Sequence, residues 1–337
     1  MYRTRSCSGV SATLCSASRN SRSLKTQCTS AECRATIFAQ HLTPHKNIYF
    51  GKVTGHKSPL DADYKADLES PPLPDKLKKK HQSVGGILTY LSCTSMPELA
   101  WSVTQVARYN AAPTYSSWEA AKSIARYCIG RRDEHDCGVL HGRDRAMNEP
   151  IYTADASFNC YKFVSKDGKR GSYSHYGFIG YLYGGPIAWR SKICKRVLKS
   201  VRDAEAIALE AATESALYTR MLLNSLVQLK EPTLVLGDNE ALYKGITNQS
   251  FKSCDRHILK TYFWIADKVN DDEIRLGLLP TDEMPADIFT KSLGMRKFSY
   301  FRKMVSGFSS VDFSRQKDMS GVHFVWLGVF ADLFSMD

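Results

Sequence analysis

Four acidic residues follow one another along the chain in contexts that suit metal ligands. Asp155 ends a strand-like run in IYTADASF, and Glu205 lies one turn into the helical pattern RDAEAIALEAATESALYTRMLL. Asp238 closes a second apolar run in TLVLGDNEAL, and Asp287 opens a short helical segment in DEMPADIFTK. Carboxylates suit Mg²⁺, and two such ions about 3.5–4 Å apart can activate water and stabilise the leaving oxygen of a phosphodiester. A single acid is more often a solvated surface side chain, but all four in this order predict a two-metal nuclease site.

The periodicity after residue 148 predicts the elements that must position these acids. Strands are expected in IYTADA, YGFIGYLY and PIAWRS, with a tight turn at Gly184-Gly185 between the last two. Further helices and strands are expected in this order: helix 203–229, strand 233–237, helices 239–247 and 256–269, strand 274–280 and helix 284–292. Three antiparallel strands followed by alternating helices and strands predict an α/β fold, with a mixed five-stranded sheet and helices on both faces.

Composition changes along the chain predict four segments. Residues 1–47 are rich in Ser, Thr, Arg and Cys and form a disordered or unassigned leader, and 306–337 form an unassigned tail. Residues 48–135 begin extended and proline-rich up to residue 80, become mostly helical over 83–130, and end in the polar connector 131–136. Residues 148–295 form the α/β domain.

The overall charge and the cysteines limit the compartment and the partners. Lys and Arg number 46 against 34 Asp and Glu, a net charge of +12 that favours a polyanionic partner such as nucleic acid. Ten scattered cysteines without a CxxC pair favour reduced thiols and an intracellular protein of the cytoplasm or nucleus. No apolar stretch approaches the roughly 18–20 residues of a membrane span, so no membrane partner is expected. Residues 1–31 have the composition of an organelle transit peptide, although an unstructured leader is the preferred interpretation.

Several motifs, in the same order, resemble a known family. GGPIAWRSKICK is similar to GGPISWRSKKQK of Ty1/copia retrotransposon polyproteins, and DAEAIALEAATESALYTR is similar to TEAEYIALSEAAKEALWLR. LGDNEAL, RHILKTYFWIADKVNDDEIRL and MPADIFTKSL resemble CDNQSAI, KHIDIRYHFIREKVEDGEIRL and LADIFTKPL. The resemblance runs from about residue 57 to 305 and covers the tail of reverse transcriptase followed by ribonuclease H. It implies that 48–135 is a remnant of the reverse transcriptase C-terminal (connection) region and 148–295 a ribonuclease H-like domain.

The resemblance implies cleavage of the RNA strand in RNA–DNA hybrids with two Mg²⁺ ions, for which Mn²⁺ can substitute. Asp155, Glu205, Asp238 and Asp287 match the family's four catalytic and metal-binding acids, and His257 matches a histidine that either assists proton transfer or is structural. Other parts of a retroelement polyprotein are possible partners. Basic and aromatic residues near the second predicted hairpin would hold the phosphates of the hybrid, or else form a solvated loop: Trp189, Arg190, Lys192, Lys195, Arg196 and Lys199.

Departures from the family pattern keep other functions open. Ala154 replaces a Thr or Ser, Asp203 replaces a Glu, and Glu240 places a negative charge near a proposed metal ligand where the family has Gln.

The only Asp-Asp pair, Asp271-Asp272, lacks the Tyr-x-Asp-Asp context of a polymerase, so no DNA synthesis is expected. The alternative is a catalytically inactive remnant that at most binds nucleic acid. An integrase of the same fold is disfavoured by the helical Glu and by the DIFTK motif. Exposed apolar surface is expected on helices 83–130, where polymerase partners are missing.

Overall fold

A computed structural model describes residues 57–131, 134–142, 144, 147–164, 170–247, 258–313 and 315–319. The helices are α1 Asp75–Thr94, α2 Ala100–Ala107, α3 Tyr115–Arg131, α4 Val201–Asn224, α5 Glu240–Thr247, α6 Leu259–Asn270 and α7 Met295–Val305. The strands are β1 Ile151–Val164, β2 Arg170–Leu182, β3 Gly185–Cys194, β4 Thr233–Gly237, β5 Ile274–Leu278 and β6 Lys317–Asp318. Short 3-10 turns cover Pro97–Leu99, Thr281–Glu283 and Pro285–Phe289.

The strands form one mixed sheet in the order β3-β2-β1-β4-β5-β6. β1 pairs antiparallel with β2, and β2 with β3, whereas β1–β4 and β4–β5 are parallel. The first five strands confirm the predicted ribonuclease H-like α/β fold. The two-residue strand β6 pairs antiparallel with β5 and lies in the tail for which no structure was predicted.

Alternation along β1 sends successive side chains to opposite faces of the sheet. Tyr152, Ala154 and Ala156 pack in one core with residues of α4, α5 and α6. On the opposite face, Ile179 and Tyr181 of β2 pack in a second core with α1, α2, α3, α7 and the Pro285–Phe289 turn. The sheet therefore has helices on both faces, as predicted.

The helical segment differs from its prediction in two ways. Helix α1 begins at Asp75 and includes the Lys run 76–80, which was expected to be extended; Pro74 directly precedes the helix, so the prolines define its start. The prediction of exposed apolar surface on the helices of residues 83–130 was also wrong. On the described helices α1–α3 only Tyr90 and Tyr115 are large exposed apolar residues, because the sheet and α7 cover the rest.

The predicted polar connector after α3 contributes a buried ion network. Asp136 accepts a hydrogen bond from Arg131 at 2.9 Å and another from Arg302 of α7 at 2.8 Å. Glu134 also pairs with Arg131 at 2.5 Å. All three members of the Arg131–Asp136–Arg302 group are at most 9% exposed, so these charges link α3 to α7 inside the protein.

Two local predictions are corrected near the site. β1 continues to Val164, so Asp155 lies within the strand and does not end it. The β2–β3 turn is formed by Tyr183 and Gly184, both with positive φ (51° and 73°), one residue earlier than predicted. Two successive residues of this kind make the type of two-residue turn that matches the twist of a hairpin.

The described residues contain neither a membrane-spanning helix nor a disulfide bond. No helix there is long and apolar enough to cross a membrane. None of the cysteines there forms a disulfide; these are Cys93, Cys128, Cys137, Cys160 and Cys194.

Candidate metal site and nucleic-acid interface

Asp155 and Asp238 meet where two parallel strands separate. β4 pairs with β1 only over residues 151–153, opposite 234–236, and β4 ends at Gly237. Neighbouring parallel strands place their carboxyl ends at the same edge of a sheet, about 4.8 Å apart. The last pair between β1 and β4 joins Thr153 to Leu236, and Asp155 and Asp238 each lie two residues beyond this pair on their own strand. The topology therefore brings both carboxyl groups to one crevice.

Glu205 reaches the same crevice from α4. The helix starts with a capping box, in which Ser200 accepts a hydrogen bond from the Asp203 backbone N–H and the Asp203 carboxylate accepts one from the Ser200 N–H. This cap fixes the helix start one turn before Glu205. The Ala156 backbone N–H on β1 also hydrogen-bonds to the Glu205 carboxylate. Asp203 is therefore part of the helix cap.

Asp155, Glu205 and Asp238 each offer one carboxylate oxygen, and these oxygens lie within 4.8 Å of one another. Asp155 is 2% and Glu205 8% exposed. Asp238 is partly exposed, but the two buried carboxylates have little water to screen the repulsion within the group, and a divalent cation with hard oxygen ligands would relieve it. The Tyr243 hydroxyl, buried beside Glu205 and Asp238, has no hydrogen-bond partner among the described residues. This donor set fits a divalent metal ion.

Burial and crowding shift the protonation of these acids strongly. Burial raises the pKa of Asp155 to about 7, with Lys291 opposing this rise and Asp287 adding to it. Burial raises the pKa of Glu205 to about 10, and the negative charges of Asp155 and Asp238 contribute to the rise. Without a metal ion the site therefore retains protons at neutral pH, which a bound cation would displace.

Asp287 lies beside this triad but is paired with lysines. Its side chain is fully buried, and its two oxygens form ion pairs with Lys291 at 2.8 Å and Lys297 at 2.7 Å. Thr290 donates a hydrogen bond to Asp155, which connects the Pro285–Phe289 turn to β1. Among the four predicted acids, the structure thus brings Asp155, Glu205 and Asp238 together directly and places Asp287 next to them.

Thr290 and Lys291 were not predicted as site residues, although both belong to the family-like motif ADIFTK. Burial lowers the pKa of Lys291, but the nearby negative charges of Asp155 and Asp287 outweigh it, and the net shift is upward. Lys291 is therefore a cation at neutral pH. The signal available in the sequence was its position four residues after Asp287.

A polar chain fixes the turn that carries Asp287, and sequence reasoning missed it. The Ser191 hydroxyl donates to the Phe289 carbonyl at 2.6 Å, and His175 Nε2 lies 2.7 Å from the same hydroxyl. Burial lowers the pKa of His175 to about 3, so the ring is neutral and donates through Nε2. Gly177, between them in the sheet, has no side chain because a Cβ there would lie 2.4 Å from the Cβ of Phe289. The sequence gives no signal for this contact between β2, β3 and the turn.

The predicted nucleic-acid residues divide into two groups. Trp189 is half-buried against the helical segment, and its indole N–H donates to the Ser92 carbonyl of α1 at 2.7 Å. The other group is exposed and lines a groove of about 620 Å³ between β3 and α4: Arg190, Lys192, Lys195 and Arg196. Lys199 is also exposed. Ser191 lies in the same cross-strand row as Gly177 and Asp155, so Arg190 and Lys192 lie two strands, or about 10 Å, from the acids.

Two further residues from the sequence analysis, His257 and Glu240, remain to be placed. His257 lies outside the described residues. Glu240, which introduces a negative charge near Asp238, pairs with Lys244 at 2.9 Å and with Lys317 at 3.4 Å. Both partners are lysines, so its charge is largely compensated at the surface.

The chain is similar to parts of much longer polyproteins. It is 29% identical over 232 residues to the "Retrovirus-related Pol polyprotein from transposon TNT 1-94" of Nicotiana tabacum, which covers 68% of this chain and 16% of that protein. It is 28% identical over 235 residues to the polyprotein of transposon RE2 of Arabidopsis thaliana, which covers 69% of this chain and 15% of that protein. The chain therefore spans about one sixth of these relatives. No protein-family model matches the chain.

A solved structure aligns with part of the chain. The "LC11-RNase H1 in complex with RNA/DNA hybrid" aligns with 42% of this chain and 94% of its own, at 15% sequence identity and a TM-score of 0.32. The fold assignment itself rests on strand order and strand direction. Over about two thirds of its length, the chain is thus similar to retrovirus-related Pol polyproteins from plant transposons, and its strand order and strand directions are those of the predicted ribonuclease H-like fold.

Proposed function

We propose that this chain is a retroelement-derived ribonuclease H that hydrolyses the RNA strand of RNA–DNA hybrids with divalent cations. The observation that carries the proposal is the convergence of Asp155, Glu205 and Asp238 within 4.8 Å at the crevice between β1 and β4. Mg²⁺ is the proposed ion, with Mn²⁺ as a substitute, because the donors are all carboxylate oxygens. The helical segment before the sheet is proposed to derive from the reverse transcriptase connection region.

The chain's own residues prepare the site. Asp155, Glu205 and Asp238 would hold a first divalent cation, and Asp287 would contribute to a second. Bound divalent cations supply an activated water and stabilise the charge that develops on the phosphate. Thr290 orients the Asp155 carboxylate through its hydrogen bond, and the capped start of α4 holds Glu205 in place. Asp155 is only 2% exposed, so little bulk water reaches its carboxylate.

The exposed basic residues of the groove between β3 and α4 are proposed to bind the phosphates of the hybrid. Arg190 and Lys192 flank Ser191, the β3 residue in the same cross-strand row as Asp155. One strand of a duplex could therefore contact these basic residues and the acidic crevice together. Recognition of this kind depends on backbone shape and 2′-hydroxyl groups more than on base edges. Trp189 is not among the residues that line this groove, and its indole N–H donates to the Ser92 carbonyl of α1 instead.

Cleavage of a labelled RNA–DNA hybrid tests the enzymatic proposal. The wild-type protein is expected to cut the RNA strand in the presence of Mg²⁺ or Mn²⁺, and Asp155→Asn and Glu205→Gln are expected to abolish cutting. Asp267→Asn, an exposed acid on α6, is the matched control and should retain activity. A wild-type protein that binds metal but cuts with neither ion would refute the proposal.

Salt dependence tests the phosphate contacts. Hybrid binding should weaken log-linearly with salt, and Lys192→Gln should lower the slope by about one. Lys303→Gln on α7 removes an exposed positive charge far along the chain from the groove and should leave the slope unchanged. An affinity that does not depend on salt would contradict the contact surface.

A second candidate is a protein that binds hybrids without cutting them. The pairing of Asp287 with two lysines favours it, because both carboxylate oxygens are already occupied. Salt-dependent hybrid binding without metal-dependent cleavage would identify this function.

A further inference from the structure

The ammonium group of Lys291 lies between two of the acidic side chains. Its nitrogen is 2.8 Å from Asp287 Oδ1 and 3.7 Å from Asp155 Oδ2. The two carboxylates are 0% and 2% exposed, whereas the Lys291 side chain is 39% exposed. A flexible, partly solvated cation therefore bridges two buried acids on the side of Asp155 that Thr290 also contacts.

The charges around the acids match one divalent cation better than two. When fully ionised, the four acids carry four negative charges, and the Lys291 and Lys297 ammonium groups compensate two of them. The remaining two negative charges are balanced by a single divalent cation. A second cation between Asp155 and Asp287 would lie within a few ångströms of the Lys291 ammonium, and their repulsion in this buried setting would be large.

We propose that Lys291 occupies the position of a second divalent cation, so that the protein binds one cation tightly and a second only when Lys291 moves away. The inference rests on the proposed metal site of Asp155, Glu205 and Asp238. It makes Lys291 a positioning residue that determines how many ions the acids hold at a given metal concentration.

The protein has room for Lys291 to move. The residue lines a cavity of about 430 Å³ between residues 62–68, α2, β1 and the segment 290–292. The cavity contains further basic side chains, among them Lys65, Arg108 and Lys162, together with Asp63. Movement into this cavity would take the ammonium away from Asp287 while Lys297 remains paired with the other Asp287 oxygen.

The inference is tested by measuring how Mn²⁺ binds to the metal-free full chain. Titration calorimetry and the electron paramagnetic resonance signal of free Mn²⁺ both report this binding. Wild type is expected to bind one Mn²⁺ and to bind a second at least ten-fold more weakly. Lys291→Met should reduce this ratio ten-fold or more, and Lys291→Arg, which keeps the charge, should preserve it. Lys297→Met is the matched control, because Lys297 contacts Asp287 but has no ion pair with Asp155 among the described contacts.

The outcomes separate this inference from the proposed function. Two equally tight Mn²⁺ ions in wild type, or equal effects of Lys291→Met and Lys297→Met, would overturn the role of Lys291 and leave the metal site intact. Absence of Mn²⁺ binding in wild type and in every variant would overturn both. Two equally tight ions in wild type overturn the role of Lys291 even if a variant fails to fold, and circular dichroism before each titration identifies such a variant.

Discussion

Replacing Glu205 by glutamine is expected to stabilise the metal-free protein at alkaline pH. The pKa of Glu205 is raised from 4.5 to about 10 in the folded protein, first by burial and then by the charges of Asp155 and Asp238. Between these two values the folded state holds a proton that the unfolded state has released. The free energy of unfolding therefore falls as pH rises through this window, and the stabilisation is complete only below pH 4.5.

The size of the effect follows from one retained proton. One proton contributes at most about 1.4 kcal/mol per pH unit, so the loss between pH 6 and pH 9 is at most about 4 kcal/mol. Asp155, whose pKa is also raised, adds to the wild-type slope up to about pH 7, and we assign roughly 2–4 kcal/mol of the loss to Glu205. Glutamine carries no charge, so Glu205→Gln should remove most of the slope and be more stable than wild type at pH 9.

Urea unfolding in EDTA at pH 6, 7, 8 and 9, followed by circular dichroism, measures this slope. Glu214→Gln, an exposed acid on the same helix, is the control for a general change of charge on α4. Saturating Mn²⁺ should restore wild-type stability at pH 9, because a bound cation replaces the proton. Equal slopes for wild type and Glu205→Gln would refute the reasoning.

Three further changes test the supporting structure. Asp136→Asn should lower the free energy of unfolding by about 3–5 kcal/mol, because two buried arginines lose their shared carboxylate; urea unfolding measures it. Gly177→Ala should lower the melting temperature and weaken Mn²⁺ binding, because the new Cβ would displace Phe289 and the turn that carries Asp287. Its control is Gly86→Ala, which adds a methyl group in open space on α1 and should be neutral or stabilising. Ser200→Ala should cost about 1 kcal/mol in urea unfolding by removing the α4 cap, and a stability equal to wild type would contradict the capping box.

The sequence predicted the elements of the α/β domain well because their signals are local. Strand β4 was predicted at 233–237, as observed, since an apolar run of this length between Pro232 and Asp238 is too short for a typical helix. The α4 helix was predicted two residues short at its start and five residues long at its end, where no glycine or proline marks the C-terminus. The start of α1 was missed, because the proline-rich stretch directly precedes a helix that begins with the polar sequence DKLKKK.

The sequence by itself determined which acids could form a site and in which order they occur, because residue type and spacing limit the chemistry. Only the tertiary structure decided how they meet. β1 and β4 separate just before Asp155, so three carboxylates share one crevice. The turn at 285–289 brings Asp287 beside them together with Lys291. Trp189 was predicted to contact nucleic acid, but it contacts α1 because the helical segment covers that part of the sheet. These outcomes depend on contacts between residues as many as 135 positions apart, such as Asp155 and Thr290, which no local pattern records.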